Sequence, residues 1–224
     1  MGGKFPEQIE VQNLIICEGA HDEAFFRHLI SSRSLTNFEI CYPGKDYTQG
    51  FGRDAFCQAL NVLGTLRGFK PNLNIILVSD NDANPSGSFK TIQSQIKKAE
   101  KEYPVPSEPL EIASSQSLPN LTVLMIPWKD QRGILETLCL EAVQSQQPKI
   151  FECVESFGQC VGSNNWDSGE QDKFKMRCFL TAISSDDPYK SLNNLFSGEN
   201  PPISLDHDCF NKITTFLEQF SQKN

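Results

Sequence analysis

An apolar run that ends in two carboxylates constrains the fold more than any other part of the chain. The run begins at Ile75, shows no polar alternation, and stops at Asp80 and Asp82. This pattern is typical of a strand buried on both faces, which places the acids at its C-terminal end. In an ideal strand, residues two apart face the same side, and Asn84-Pro85 then predicts a turn that exposes both acids.

The same two carboxylates predict a bound cation. Two carboxylates about 4 Å apart repel by roughly 4 kcal/mol at an effective dielectric constant near 20. A hard divalent cation with oxygen ligands would offset this repulsion. We therefore expect Asp80 and Asp82 to hold Mg²⁺, or Mn²⁺ in its place, as one or two ions.

A second apolar run, residues 11–17, also ends at acids. Glu18 follows it directly, beside Gly19, which lets another group approach closely, so Glu18 is a candidate site residue. Asp22 falls in the first turn of a helix predicted over residues 21–32. The helix dipole favours a carboxylate there, so a purely structural explanation for Asp22 stays open.

The first two thirds of the chain alternate between strands and helices. Further strands are predicted at residues 38–42 and 121–126, and further helices at residues 53–66, 86–102 and 134–143. This order predicts an α/β domain over residues 9–145, with a mostly parallel four-stranded sheet and helices on both faces. Ligands on such sheets bind beyond the carboxyl ends of the strands. Glu136 lies in a first helical turn, where capping and site membership both remain open.

Residues 146–224 show no convincing strand and are predicted to form a helical region packed on the sheet. Helices are expected at residues 149–160, 169–182 and 206–220, with Asp206 as the cap of the last. Lys173 and Lys175 belong to the one basic cluster of this region, which could lie over the acidic edge. If Asp22 and Glu136 converge on the same edge and the site catalyses phosphoryl transfer, one of these lysines would stabilise the transition state.

Charge and composition narrow the classes of function. The 224-residue chain is 38% hydrophobic, as in globular proteins, and carries a net charge of −8. The negative charge argues against a protein that grips nucleic acid unaided through a broad basic face. The net charge is still compatible with a nucleic-acid enzyme whose acidic residues are concentrated at a metal site, because the bound metal makes the local electrostatic potential positive.

Cysteine spacing and hydropathy exclude several further classes. The eight cysteines include no Cys-x-x-Cys pair, which argues against a zinc ribbon and a redox dithiol and predicts free thiols, several of them buried. No apolar run reaches membrane-spanning length, and the N-terminus lacks the apolar core of a signal peptide. We therefore expect a soluble cytoplasmic protein without a membrane partner.

One glycine-rich segment superficially matches a dinucleotide fingerprint. Gly50, Gly52 and Ala55 have the right spacing, but the preceding strand ends eight residues earlier instead of running into the turn. A dinucleotide cofactor is therefore not expected.

The acidic motifs together resemble a known domain. Glu18-Gly19 with Asp22, followed by Asp80-x-Asp82 at the end of a later strand, resembles the Toprim domain of topoisomerases, primases, recombination mediators and OLD-family nucleases. The resemblance covers roughly residues 9–145. Similarity to the OLD-type domains implies that Asp22 is a second-metal ligand and that Glu136 belongs to a later acidic motif. It also implies that Glu18 completes the metal site or shuttles a proton.

The C-terminal region adds a second resemblance. Residues 172–177 and 186–188 look like those of small standalone Toprim-like proteins of unassigned function. Such proteins are often encoded beside an ATPase, in arrangements reminiscent of phage defence. The resemblance thus implies a nucleic-acid substrate and an AAA-type or ABC-type ATPase partner, and a homo-oligomer is compatible with it.

Three functions compete on these observations. The favoured one is a Mg²⁺-dependent nuclease of the Toprim type. The second is a non-catalytic binding or regulatory module that has kept the fold. A receiver-like phosphoacceptor is weaker, because receivers carry the acid pair on the first strand and a lone aspartate on a central strand, the reverse of this order.

Overall fold

A parallel sheet of four strands forms the centre of the protein. The computed structural model describes residues 5–44, 52–196 and 201–221. The strands are β1 (Asn13–Ile16), β2 (Phe38–Cys41), β3 (Asn74–Asp80) and β4 (Asn120–Ile126). Their order across the sheet is β2-β1-β3-β4, and every neighbouring pair is parallel. The predicted α/β fold with a parallel sheet flanked by helices is confirmed.

Seven α-helices surround the sheet in the described part of the chain. They are α1 (Ala20–Ser32), α2 (Phe56–Leu63), α3 (Pro85–Lys98), α4 (Leu135–Gln146), α5 (Pro148–Val161), α6 (Ser168–Ile183) and α7 (Asn211–Glu218). Short 3-10 turns cover Gly52–Ala55, Ser163–Asn165, Leu192–Leu195 and Asp208–Phe210. None of these described helices has both the length and the apolar character needed to cross a bilayer.

Three predicted helix limits differ from the structure. The helix predicted over residues 86–102 stops at Lys98, because the Glu100 amide donates to Asn61 Oδ1 (2.8 Å) instead of continuing the helix. The helix predicted over residues 53–66 divides into a 3-10 turn and α2. The last helix is preceded by a 3-10 turn capped by the imidazole of His207, so the prediction of Asp206 as cap is wrong.

The two faces of the sheet are covered by separate apolar layers. Alternate strand residues such as Leu14 and Leu77 pack against α2 and α3, while Ile15 and Val78 pack against α1, α4, α6 and α7. The C-terminal region supplies buried side chains to the second layer, among them Phe179, Leu195, Phe210 and Leu217. This region therefore shares its apolar core with the sheet.

Three asparagines fix the register of the strands at their amino ends. The side-chain Nδ2 of Asn74 donates to Asn13 Oδ1 (2.7 Å), and the side-chain Nδ2 of Asn120 donates to Asn74 Oδ1 (3.0 Å). From this common start, β1 ends at Ile16, level with Leu77, while β3 runs on to Asp80. The register therefore brings the residues after β1 alongside the last residues of β3.

The strand order creates a crevice between β1 and β3. The helix after β1 lies on one face of the sheet, and the helix after β3 lies on the other. In doubly wound folds, ligands bind at the point where the connecting helices change from one face of the sheet to the other, which is called the switch point. They bind there beyond the carboxyl ends of the strands. The crevice is therefore the expected ligand site of this sheet.

The cysteines follow the prediction. All eight are free thiols, and Cys17, Cys41 and Cys139 are fully buried. These three buried cysteines serve as small apolar side chains of the core.

Candidate functional site

A pocket of about 400 Å³ lies at the crevice between β1 and β3. It is lined by Glu18, Gly19, Ala20, His21, Asp22, Gly52, Asp80, Leu135, Glu136 and Lys173. Five of the predicted site residues are thus brought together, four of them carboxylates. Asp82 and Lys175 are not part of the lining.

Glu18 enters the pocket from the end of β1. Its Oε1 accepts hydrogen bonds from the Ser79 hydroxyl and from Arg53 Nε (3.1 Å). Gly52 lies on its other side, where an added Cβ would lie 3.7 Å from Glu18 Oε2. This is an ordinary van der Waals distance, so it is the positive φ of 62° and not a lack of space that favours glycine here.

Asp22 lies in the first turn of α1, as predicted. Its Oδ2 accepts a hydrogen bond from the Gly19 amide (3.1 Å), so the carboxylate caps the helix. It also lines the pocket. Asp22 therefore both caps the helix and belongs to the candidate site.

Asp80 is the last residue of β3 and faces the start of α4. Its Oδ1 accepts a hydrogen bond from the Leu135 amide (2.9 Å), and Glu136 follows in the same turn. The positive end of the helix dipole stabilises a carboxylate at this position. The amino ends of α1 and α4 thus both face the pocket.

Asp82 departs from the alternation of β3. The strand ends two residues earlier, and Asp82 has a left-handed backbone (φ 51°) held by two hydrogen bonds to Gly133 (2.8 and 2.9 Å). Its half-exposed carboxylate accepts a hydrogen bond from Arg53 Nη2 (2.5 Å). The expectation that Asp80 and Asp82 present their side chains alike at one site is therefore corrected.

Arg53 is a site residue that the sequence did not reveal. Its guanidinium contacts Glu18 Oε1, the Asp80 carbonyl (3.0 Å) and Asp82 Oδ2. The signal in the sequence is a basic residue in the glycine-rich segment after β2, which otherwise shows only a superficial match to a dinucleotide fingerprint. Gly50 of that fingerprint lies outside the described residues, whereas Gly52 and Arg53 both reach the site.

The two candidate lysines have different surroundings. Lys173 lines the pocket, with its Nζ 3.8 Å from Glu170 Oε1. Lys175 forms an ion pair with Glu155 of α5 (2.6 Å). Residues two apart on a helix point about 200° apart, so only one lysine can face the acids.

The surroundings of the pocket oppose the ionisation of three of its carboxyl groups. Burial, followed by the charges of Glu18 and Glu136, raises the pKa of Asp22 from 3.8 to about 7. Burial and then Asp22 raise the pKa of Asp80 well above its usual range. Burial also raises the pKa of Glu18, against the opposing effect of Arg53. A bound cation would relieve all three.

The donor chemistry of the pocket fits a hard divalent ion. Mg²⁺ prefers oxygen ligands and is typically held by one or two carboxylates plus water, and four carboxylates line this pocket. Within the described ranges, no group of three or more His, Cys, Asp or Glu side chains is already arranged to hold a metal. The ligand types of the pocket thus suit such an ion.

Replacing Gly133 by alanine is expected to destabilise the site strongly. Gly133 has φ 131°, and an added Cβ would lie 2.7 Å from Thr137 Oγ1 and 3.0 Å from Pro127 Cγ. We expect Gly133→Ala to lower the free energy of unfolding by about 2–4 kcal/mol, measured by urea denaturation.

Gly162→Ala is the matched control for backbone conformation. Gly162 also has a positive φ (75°), but its nearest neighbour would be 3.9 Å from the new Cβ. This variant is expected to lose only about 1 kcal/mol. Equal losses in the two variants would contradict the close packing around Gly133.

Comparison with known proteins gives a family without a described activity. No match was found among curated proteins or among solved structures. A family match covers nearly the whole chain, including both strand ends, the acidic pocket and the C-terminal helices. The chain belongs to the family described as "Protein of unknown function (DUF3226)", which matches residues 12–222.

Proposed function

We propose that this protein is a Mg²⁺-dependent nuclease that hydrolyses phosphodiester bonds in DNA or RNA. The observation that carries the proposal is the convergence of Glu18, Asp22, Asp80 and Glu136 on one pocket at the switch point of a parallel sheet. Burial and mutual repulsion make this arrangement costly in the absence of a cation. Costly clusters of titratable groups are characteristic of functional sites.

The carboxylates nearest the start of α4 suit a metal ion. Asp22, Asp80 and Glu136 line the pocket and would hold Mg²⁺ or Mn²⁺, while Glu18 is already paired with Arg53. When bound, such an ion polarises the phosphate and lowers the pKa of a coordinated water. This is the chemistry that phosphodiester hydrolysis requires.

The remaining groups of the pocket fit supporting roles. Glu18 has a raised pKa, which favours a carboxylate that accepts a proton from the attacking water. Lys173 lines the same pocket and would bind a non-bridging phosphate oxygen. The pocket thus offers a general base and a cationic side chain as well as metal ligands.

Nucleic-acid affinity is proposed to come in part from a partner. The net charge of −8 provides little general attraction for a phosphate backbone. An ATPase that loads or threads nucleic acid would supply it, and the resemblance to standalone Toprim-like proteins supports such a partner and a role in phage defence.

A cleavage assay tests the proposal. The purified chain is incubated with single-stranded and double-stranded DNA and RNA in Mg²⁺ or Mn²⁺, alone and with any ATPase that is encoded next to it. We expect cleavage that EDTA abolishes. No cleavage of any substrate under any of these conditions would contradict the proposal.

The two lysines give a matched comparison on one helix. Lys173→Met is expected to reduce the cleavage rate at least about 10-fold, because it removes the cation that lines the pocket. Lys175→Met removes a cation paired with Glu155 and is expected to change the rate less than about two-fold. The readout is kcat/KM on the best substrate, and equal effects would remove Lys173 from the site.

A non-catalytic binding or regulatory module is the second candidate. It is favoured by the Arg53 ion pairs with Glu18 and Asp82 and by the lack of a ready-made metal-ligand group among the described residues. Calorimetric titration with Mg²⁺ separates the two candidates. A regulatory module is expected to bind no ion at millimolar concentration, whereas the nuclease binds one.

A further inference from the structure

We propose that Arg53 takes the place of a second metal ion, so that the site binds a single divalent cation. This inference rests on the proposed metal-dependent function. It assigns the ion to the side of the pocket formed by Asp22, Asp80 and Glu136. It also makes Asp82 a partner of Arg53 instead of a metal ligand.

Arg53 lies between Glu18 and Asp82 and contacts both carboxylates. It lies in the 3-10 turn Gly52–Ala55, and its side chain is only 17% exposed. The Nε of the guanidinium donates to Glu18 Oε1. Its Nη2 donates to both Asp82 Oδ2 and the Asp80 carbonyl oxygen. A planar donor group therefore already joins the two strand ends that a metal ion would otherwise bridge.

Among the residues that the structure describes, no lysine or arginine forms an ion pair with the other carboxylates of the pocket. Within the described ranges, Glu18 and Asp82 each form an ion pair with Arg53, and no ion pair links Asp22, Asp80 or Glu136 to a lysine or arginine. The charge that needs a divalent cation is therefore concentrated away from Asp82. Asp82 is also held by its backbone pairing with Gly133, which keeps it out of the pocket lining.

Arginine is a permanent counterion here. Its guanidinium does not lose its proton in proteins, so it cannot become neutral to make room for a second cation. A second ion between Glu18 and Asp82 would have to displace Arg53. At short range the two positive charges would also repel each other. The five acids at this edge are thus served by one metal ion and one guanidinium.

Metal stoichiometry tests the proposal without an activity assay. Mn²⁺ is titrated into the full chain by calorimetry, with free Mn²⁺ measured by electron paramagnetic resonance. The wild type is expected to bind one ion per chain. Arg53→Gln frees both Glu18 and Asp82 and is expected to bind two, while Arg53→Lys, which keeps the charge, is expected to bind one.

Two isosteric variants locate the ion. Asp22→Asn is expected to weaken Mn²⁺ binding at least about 10-fold, because it removes a carboxylate of the pocket. Asp82→Asn is expected to change the affinity less than about three-fold, because Arg53 and not the metal is its partner. If Arg53→Gln does not fold, the wild-type stoichiometry and this pair of variants decide.

The outcomes separate this inference from the proposed function. Two ions bound to the wild type, or equal weakening by Asp22→Asn and Asp82→Asn, would overturn the role of Arg53 and leave a metal-dependent nuclease standing. No binding of Mn²⁺ to the wild type at millimolar concentration would overturn both.

Discussion

An Asp80→Asn variant is expected to lose metal-dependent cleavage by at least about 100-fold while its metal-free form becomes more stable than the wild type. Replacing groups that merely contact metal ligands typically costs 10-fold to 100-fold, so losing a proposed ligand should cost at least the upper figure. The free energy of unfolding at pH 8 is expected to rise, because the surroundings of Asp80 hold the pKa of its carboxyl well above the usual range.

The gain in stability follows from the surroundings of Asp80. Burial and then Asp22, Glu18 and Glu136 oppose its ionisation. An asparagine removes the buried charge, and its side-chain oxygen can still accept the hydrogen bond from the Leu135 amide. Opposite effects on activity and stability are typical of residues whose environment serves function.

Thermal melting in EDTA and a cleavage assay in Mg²⁺ measure the two effects. For a chain of this length, 1 kcal/mol corresponds to a shift in Tm of about 2–4 °C. Asp130→Asn is the control, because Asp130 is an exposed acid in the loop after β4. A metal-free Asp80→Asn protein less stable than the wild type would contradict the electrostatic account, and unchanged cleavage would contradict the proposed function.

The second large effect concerns pH. The metal-free wild type is expected to lose stability as the pH rises from about 4 to about 7. Asp22 has a pKa of about 7 in the folded protein and 3.8 as its ordinary value. Between these values the folded state binds more protons than the unfolded state, so each rise in pH favours unfolding.

The expected loss across this window is roughly 2–4 kcal/mol, since one pKa unit corresponds to 1.36 kcal/mol. The contribution of Asp22 is fully present below pH 3.8 and is lost once the pH passes its folded pKa. Millimolar Mg²⁺ should reverse the trend, because it binds and stabilises the ionised carboxylates of the folded state.

Urea unfolding between pH 4 and pH 8, with EDTA or with Mg²⁺, measures this dependence. Asp22→Asn should make the metal-free curve less steep, with Asp80 and Glu18 providing the slope that remains, while Glu152→Gln on the exposed side of α5 should leave the curve unchanged. A wild-type curve that rises across the window in EDTA would show that Asp22 is not held in an unfavourable environment.

The positions of the acids along the chain were predictable, but their individual directions were not. Apolar runs that stop at Glu18 and Asp80 imply parallel strands that end at one edge, and the structure has this arrangement. The divergence of Asp82 depends on a left-handed residue and a pairing with Gly133, some fifty residues later. Local periodicity carries no information about such a contact.

Arg53 and the two lysines show a similar limit. The contacts of Arg53 join residues 35 and 29 positions away in the chain, so no local pattern identifies them. Lys173 and Lys175 were equivalent in the sequence, and the packing of α6 against α5 separates them by pairing Lys175 with Glu155. Helix existence could be predicted here, whereas the neighbour of each helix face could not.

A crystal structure of the protein soaked in Mn²⁺, with anomalous diffraction data, tests the central claim most directly. We expect one anomalous peak in the pocket lined by Glu18, Asp22, Asp80 and Glu136, with carboxylate oxygens of at least two of them as ligands. A fully soaked crystal without a peak in this pocket, and with the four carboxylates turned to solvent, would contradict the metal site and the function proposed from it.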